Sequence, residues 1–329
     1  MWRSCPAIAF VIVAMGVAAA AQSCSSADDM DVPTRTTLTS VAQRYFDMAA
    51  QGNAAALKQN SIASVASDFS GIETAVKDHQ ASFATAKATA RAPYLLKLEG
   101  SAPLARAEFL CGIFGSKGQT ANSAVFVLNN LPPGEYGIVI LDVATEKGGD
   151  TASFILQQQA GDWKLGGLYL KASQVNGHDG NWFAQRASDF KAKGQLHNSW
   201  FYYLEARDLA APVPFMSTQA TDRLYDDAQS VKPADLPAEG TADLAAAGKT
   251  YKLTSLFPLA VGNDFDLVVK YQAADVSNTG QTFQENTAVM KALVAKYPEY
   301  RDGFDGVVAR AVEPSGKDYG SMLAMKDIK

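Results

Sequence analysis

The sequence is poor in the residues from which metal centres are usually built, with only three cysteines and three histidines among 329 residues. None of the six lies close in sequence to another, and the zinc-protease pattern H-E-x-x-H is absent. Asp264 and Asp266 alternate, but the glycine and the terminal glutamate of a calcium loop do not follow them. The sequence therefore predicts no metal site.

Motifs for phosphate binding and for covalent hydrolysis are missing as well. The chain has no G-x-x-x-x-G-K loop, no G-x-G-x-x-G turn and no G-x-S-x-G elbow. Lysine and arginine form no run, and the formal net charge is −5, whereas nucleic-acid-binding proteins present a concentrated basic face. We therefore predict no cofactor and no nucleic-acid partner, and motifs identify no catalytic residue.

The first residues have the composition of a secretory signal peptide. Arg3 supplies a positive charge, and residues 7–21 form an unbroken run of 15 apolar or small residues. A membrane-spanning helix needs about 20 such residues, and residues 19–21 resemble a signal-peptidase site. We predict that residues 1–23 direct export, so that the protein is periplasmic, held on the membrane through a lipid anchor, or secreted.

Cys24 has three alternative fates. It resembles the acylated cysteine of bacterial lipoproteins, because Ser23 suits the lipid-attachment box, although Gln22 departs from it. A standard peptidase would instead cut after Ala21. The third alternative is a disulfide with Cys111, which otherwise lies in an apolar run and is expected to be a buried small side chain.

Helical and then strand-forming patterns follow the leader. Residues 24–35 are polar and acidic, which predicts a flexible tether, and apolar residues then recur at helical spacing from residue 36 to 50. From residue 94 to 170, six β-rich runs alternate with turn signals such as residues 132–134 and Gly161-Asp162. Short loops between successive strands predict antiparallel pairing.

Three further segments complete an α+β architecture. A helical hairpin is predicted at about residues 179–212, and we expect it to pack on the strands within one domain spanning residues 36–231. Residues 232–249 are rich in proline, alanine and glycine, which predicts a linker. Strand and helix patterns in residues 250–329 predict a small C-terminal α+β domain.

Helices followed by antiparallel strands are the element order of NTF2-like α+β domains. Residues 41–46 (VAQRYF) and 52–54 (GNA) resemble the first helix and turn of that superfamily, and residues 154–158 and 163–168 resemble its closing hairpin. The resemblance covers residues 36–171 and implies N-terminal helices packed on a curved sheet around a conical apolar pocket. Some members of the superfamily are enzymes and many only bind ligands, and no catalytic residue carries over. The full chain also resembles bacterial exported proteins.

A second resemblance concerns the turn at residues 130–136 (NLPPGEY). It is similar to a turn of prealbumin-like and carboxypeptidase-regulatory β-sandwich modules. Any Pro-Pro-Gly turn between strands has this pattern, and the helices that precede the strands favour the α+β interpretation.

Two segments are candidates for a ligand site. His178, Asp179 and Trp182 lie where a helix is predicted to begin, so that Asp179 either orients His178 as a general base or caps the helix. Trp200 and Tyr203 belong to a run of four aromatics that must face all sides of a helix, lining a pocket or packing the core. We favour the cap and the core.

These observations predict an exported binding or interaction protein of the cell envelope. It would hold a small apolar ligand or an envelope protein without covalent chemistry. Two alternatives remain, namely an enzyme with an acid–base residue such as His178 in the NTF2-like cone, and a structural scaffold without a pocket. A carboxylate or histidine with a perturbed pKa inside the pocket would favour the enzyme.

Overall fold

A computed structural model describes residues 21–114, 118–146, 148–237, 240–261 and 264–329. The predicted signal peptide lies outside these ranges up to residue 20. Within them, every helix is too short or too polar to cross a lipid bilayer. The chain forms an N-terminal half up to residue 172 and a C-terminal half that follows it, each with its own sheet and core.

The N-terminal half opens with one strand and four helices. They are β1 (Gln22–Ser25), α1 (Val32–Ala50), α2 (Ala54–Gln59), α3 (Ala63–Ser67) and α4 (Ser70–Phe83). Asp31 caps α1 by accepting a hydrogen bond of 2.8 Å from the backbone N–H of Thr34. The flexible tether predicted for residues 24–35 is not formed, because its start pairs with a strand and its end begins α1.

Seven further strands build two antiparallel sheets in this half. They are β2 (Lys87–Ala90), β3 (Tyr94–Leu98), β4 (Leu104–Cys111), β5 (Ala124–Leu131), β6 (Gly134–Thr145), β7 (Gly148–Gln159) and β8 (Asp162–Ala172). One sheet has the order β1-β3-β6-β7-β8, with β2 also paired to β6, and β4 pairs with β5 in the other. The α+β class and the antiparallel pairing predicted from the sequence are confirmed.

The turn between β7 and β8 shows how local sequence sets this register. Its two loop residues, Ala160 and Gly161, have φ values of 52° and 91°. Two residues with positive φ give the twist that joins neighbouring antiparallel strands directly. The sequence predicted this hairpin one residue further along, at Gly161-Asp162.

Helices α1 and α4 cover one face of the larger sheet, and side chains from the helices and the sheet form the core between them. Leu38, Tyr45 and Phe154 are fully buried there. A Cβ atom at Gly137 would lie 2.4 Å from the Leu38 side chain, so a larger residue there would displace Leu38. The Tyr45 hydroxyl donates a 2.9 Å hydrogen bond to the Trp163 carbonyl.

A disulfide between Cys24 and Cys111 joins β1 in the larger sheet to β4 in the smaller one. A buried cluster that includes Phe109 and Phe126 lies between the two sheets at this point. Of the three predicted fates of Cys24, the structure has the disulfide. Lipidation of Cys24 stays a prediction, and it would require a sulfur that does not take part in this bond.

The C-terminal half begins with a short hairpin and three helices. They are β9 (Gln174–Val175), β10 (His178–Asp179), α5 (Gly180–Ala192), α6 (Leu196–Ala210) and α7 (Gln219–Val231), with β11 (Met216–Ser217) between the last two. The remaining elements are β12 (Ala242–Ala246), β13 (Lys249–Val261), β14 (Asp264–Gln272), α8 (Thr279–Lys296), α9 (Tyr300–Gly303), β15 (Gly306–Val312) and β16 (Asp318–Ala324). The sheet order is β12-β13-β14-β15-β16, and α8 provides the crossover between the parallel pair β14 and β15.

The helical hairpin packs on this second sheet, which corrects the predicted domain layout. Phe183 and Tyr202 contact Phe265 on β14 with ring centroids 5.0 and 5.3 Å apart. One continuous core holds α5, α6, α7 and the C-terminal sheet. The boundary between the two cores therefore falls after β8, because the aromatic faces of the hairpin are buried on the later strands. Part of the predicted linker, residues 242–246, forms β12.

Two contacts fix the halves against each other. Lys171, near the end of β8, donates hydrogen bonds to the carbonyls of Asp208 and Ala211 at 2.5 and 3.1 Å. Strand β11 pairs with β5 and so attaches the connection between α6 and α7 to the smaller sheet. These contacts place α5–α7 opposite β2 and β6.

Candidate functional site

The segment around His178 forms a closed local structure. Its imidazole stacks on Trp182, with ring centroids 3.8 Å apart and an interplanar angle of 8°. The Asp179 carboxylate accepts a 3.0 Å hydrogen bond from the Trp182 backbone N–H and caps α5. The structure therefore agrees with the cap interpretation of Asp179.

A cavity of about 220 Å³ lies beside this stack and is lined by His178, Trp182 and Tyr202. Ligand sites for drug-sized molecules usually measure about 300–1,000 Å³. Arg301 also lines the cavity, but its guanidinium already donates to the carbonyls of Met325 and Ile328. We therefore do not place the main site here.

Trp200 and Tyr203 belong to the core of the C-terminal half. Tyr203 is buried in it, and Trp200 is partly buried and packs against it. The four-aromatic run thus serves packing, which is the interpretation that the sequence favoured. The structure brings His178 and Trp182 together and leaves Trp200 and Tyr203 outside that cavity.

A larger candidate site lies between the halves. Two adjoining cavities of about 840 and 440 Å³ share four wall residues, Arg91, Ala210, Ala220 and Arg223. One wall comes from β2 and β6 of the first half, and the other comes from α5–α7 of the second. We call these two cavities together the groove.

Arg91 is held at the junction of the two cavities by an ion pair. Its Nε and Nη2 atoms donate to the Asp142 carboxylate at 3.0 and 2.6 Å. Such two-pronged pairs fix the direction of the guanidinium more firmly than a single contact does. The side chain is 40% exposed, so the pair stays accessible from the groove.

The larger cavity also contains a carboxylate with a perturbed pKa. Asp150 on β7 is partly buried in its wall. Burial raises the pKa of Asp150 above its usual range, and the nearby His79 opposes that effect. This aspartate holds its proton to a higher pH than an exposed one, which is a property of general acids.

A second perturbed carboxylate lies at the joint between the halves. Burial raises the pKa of Glu205 on α6 to about 7, the negative charge of Asp208 adds to the rise, and Lys171 opposes it. In the unfolded chain the pKa is near the ordinary 4.5. The folded protein therefore binds the extra proton between these values, and its stability falls as the pH rises through them.

The Glu205→Gln variant is expected to unfold with less dependence on pH than the parent chain. It should be more stable than the parent by about 2 kcal/mol at pH 8 and nearly equal to it at pH 4, because the amide carries no charge to bury. Urea unfolding at both pH values measures the difference. Glu108→Gln, at an exposed position on β4, is the matched control, and equal gains at pH 4 and pH 8 would contradict the burial of Glu205.

Of the described residues that line the groove, the sequence pointed to Asp179, which lies in the wall of the larger cavity, but it did not point to the two arginines. Arg91 precedes β3, Arg223 lies on an exposed face of α7, and neither belongs to a motif. Only the packing of the two halves brings them to a common wall. In the residues that the structure describes, no group of three His, Cys, Asp or Glu side chains is arranged to hold a metal ion.

The groove thus offers a concave, partly charged space between two folded halves. The geometry of this space is the basis for a functional proposal. No protein-family model, no curated protein and no solved structure matches the chain.

Proposed function

We propose that the protein is an exported binding protein of the cell envelope that holds a small molecule in the groove. The observation that carries the proposal is the size and position of the larger cavity. Its volume of about 840 Å³ suits a small organic ligand, and interfaces between folded units are preferred places for such sites.

The composition of the wall supports binding of a partly apolar molecule. Val143, Leu209 and Leu224 supply apolar surface, while Lys87 and Asn181 supply polar groups at the rim. Ligand pockets typically combine such apolar walls with a few polar groups that fix orientation.

Two features support export. The leader has the length and composition of a signal peptide. The Cys24–Cys111 disulfide is of the kind that persists in oxidising compartments such as the periplasm. With Cys24 in this bond, the proposal is a soluble envelope protein that needs no lipid on that residue.

The Ala220→Trp variant is expected to lose binding of a neutral apolar probe. Ala220 is exposed and lies on the wall of both cavities, so an indole there fills the groove without disturbing either core. With N-phenyl-1-naphthylamine as the fluorescent probe, we expect at least a tenfold rise in Kd.

Gln229→Trp is the matched control for this variant. Gln229 is exposed on the same helix and does not line the groove, so the parent chain and this control should bind the probe alike. Absence of saturable binding to the parent chain would overturn the proposal, as would equal Kd values for all three proteins.

A second candidate function is an acid–base enzyme that uses the same groove. Asp150 favours it, since a carboxylate whose pKa is raised by burial lies in the wall of the larger cavity. Turnover of a bound molecule that stops in Asp150→Asn, while binding of the neutral probe persists, would favour catalysis over binding alone.

A further inference from the structure

The smaller cavity of the groove has an unusual charge distribution. Among the residues that the structure describes, its charged wall residues are Arg91 and Arg223, and no carboxylate lines it. The larger cavity, in contrast, has Asp142, Asp150 and Asp179 in its wall. A cavity with two guanidinium groups and no acidic residue favours a negatively charged occupant.

Arg223 on α7 is the second arginine of this wall. Within the described ranges it forms no ion pair and no hydrogen bond, although it lines both cavities of the groove. Arg207 on the neighbouring α6 differs, because its guanidinium lies 5.5 Å from the ring centroid of Tyr225. The donors of Arg223 are therefore free to meet a ligand.

Arg91 contributes a second, pre-oriented set of donors. Asp142 engages its Nε and Nη2 atoms, and among the described residues nothing accepts a hydrogen bond from Nη1. A guanidinium that is already fixed loses little conformational entropy when it binds. The Nη1 group therefore remains able to donate hydrogen bonds to a ligand in the groove, whose two cavities Arg91 lines.

The first turn of α7 adds backbone donors to the same wall. Thr218 caps this 13-residue helix, and its hydroxyl accepts from the backbone N–H of Thr221. The N–H groups of Gln219 and Ala220 find no acceptor in the described part of the chain, and both residues line the smaller cavity. Unpaired N–H groups and the helix dipole attract anions at such positions.

The rest of the wall combines polar residues such as Thr120 and Asn122 with apolar side chains. Tyr94, Ile140 and Met216 line the cavity and belong to the first half or to the connection that joins it. A ligand that pairs a negative head with an apolar body matches both parts of the wall.

We propose that the smaller cavity binds an organic oxyanion, whose negatively charged head is held by Arg223, Arg91 and the first turn of α7. The apolar body of this ligand lies along Tyr94, Ile140 and Met216. This inference rests on the proposed function and names the chemical class of its ligand.

A pair of dyes that differ by one charged group tests the proposal. The probe 8-anilino-1-naphthalenesulfonate is N-phenyl-1-naphthylamine with a sulfonate added, so the sulfonate supplies the oxyanion. In the full mature chain, Arg223→Gln is expected to raise the Kd of the sulfonate dye at least tenfold, and to raise it by at least five times the factor found for the neutral dye. Charge-assisted hydrogen bonds are about twice as strong as neutral ones, which gives this contrast its direction.

Arg207→Gln is the matched control. Arg207 is an exposed arginine on the preceding helix, α6, and does not line the groove. It should change neither Kd. Unchanged sulfonate binding in Arg223→Gln, or an equal loss in both variants, would overturn the oxyanion inference. If the neutral dye still binds and Ala220→Trp still blocks it, the proposed function survives that failure. If neither dye binds the parent chain, both proposals fail.

Discussion

Replacing Cys24 and Cys111 together by serine is expected to lower the free energy of unfolding by about 4 kcal/mol. The disulfide closes a loop with a sequence separation of 87 residues, and restricting so long a loop in the unfolded chain is worth about 4–5 kcal/mol. Equilibrium urea unfolding of the full chain, with and without a reductant, measures the effect through the transition of its N-terminal half. The reduced parent chain should lose as much stability as the double variant.

The double variant is its own control for the reductant. Since it has no disulfide, added reductant should not move its unfolding midpoint. A midpoint of the parent chain that is equally insensitive to reductant would contradict the bond between β1 and β4, and would reopen the other fates of Cys24.

The Phe265→Ala variant is expected to lose about 3–5 kcal/mol of stability, the usual cost of emptying a large aromatic site in a core. Phe265 is only 4% exposed. It contacts Phe183 and Tyr202 from the hairpin and Phe304 beyond α9, with ring centroids 5.0–5.4 Å apart. Its removal therefore weakens the contact between the hairpin and β14.

Hydrogen exchange locates the damage. Amides of α5 and α6 should lose protection together with those of β14, while amides of α1 and β6 keep theirs, because the two halves have separate cores. Phe154→Ala is the matched control, since Phe154 is fully buried in the other core and should give the reverse pattern. If the amides of α5 and α6 instead lost protection together with those of the N-terminal sheet, the boundary after β8 would be contradicted.

The start of α1 shows how far local signals reach. Helical spacing predicted this helix from residue 36, and the structure begins it at Val32. Asp31 and Pro33 are a cap and a first-turn proline, both of which the sequence contains. The acidic and polar composition of residues 24–35 suggested a tether instead. The prediction was wrong because that composition was given more weight than the helix-start signals at Asp31 and Pro33.

The strands of the N-terminal half were more predictable, because turns between them are local. The hairpin at Ala160 and Gly161 depends on neighbouring residues only. The NTF2-like assignment stays a prediction, since an order of helices and strands is shared by many α+β folds.

The packing of the hairpin and the groove depended on distant residues. Aromatic residues such as Phe183 and Tyr202 predict that one face of the hairpin is buried, but they do not indicate which sheet covers it. Arg91 and Arg223 come from different halves and share a wall only after both have folded. No periodicity or motif in the sequence encodes such a meeting.

The bond between β1 and β4 makes the fold sensitive to where the chain resides. Glutathione keeps such thiols reduced in a bacterial cytosol, where the first sheet would lack its link to the second. A polypeptide that must pass through a narrow translocation pore benefits from that weakness, because it stays easier to unravel. For the export that we propose, oxidation after passage would then lock the same chain, and the link between the two sheets would form only on arrival.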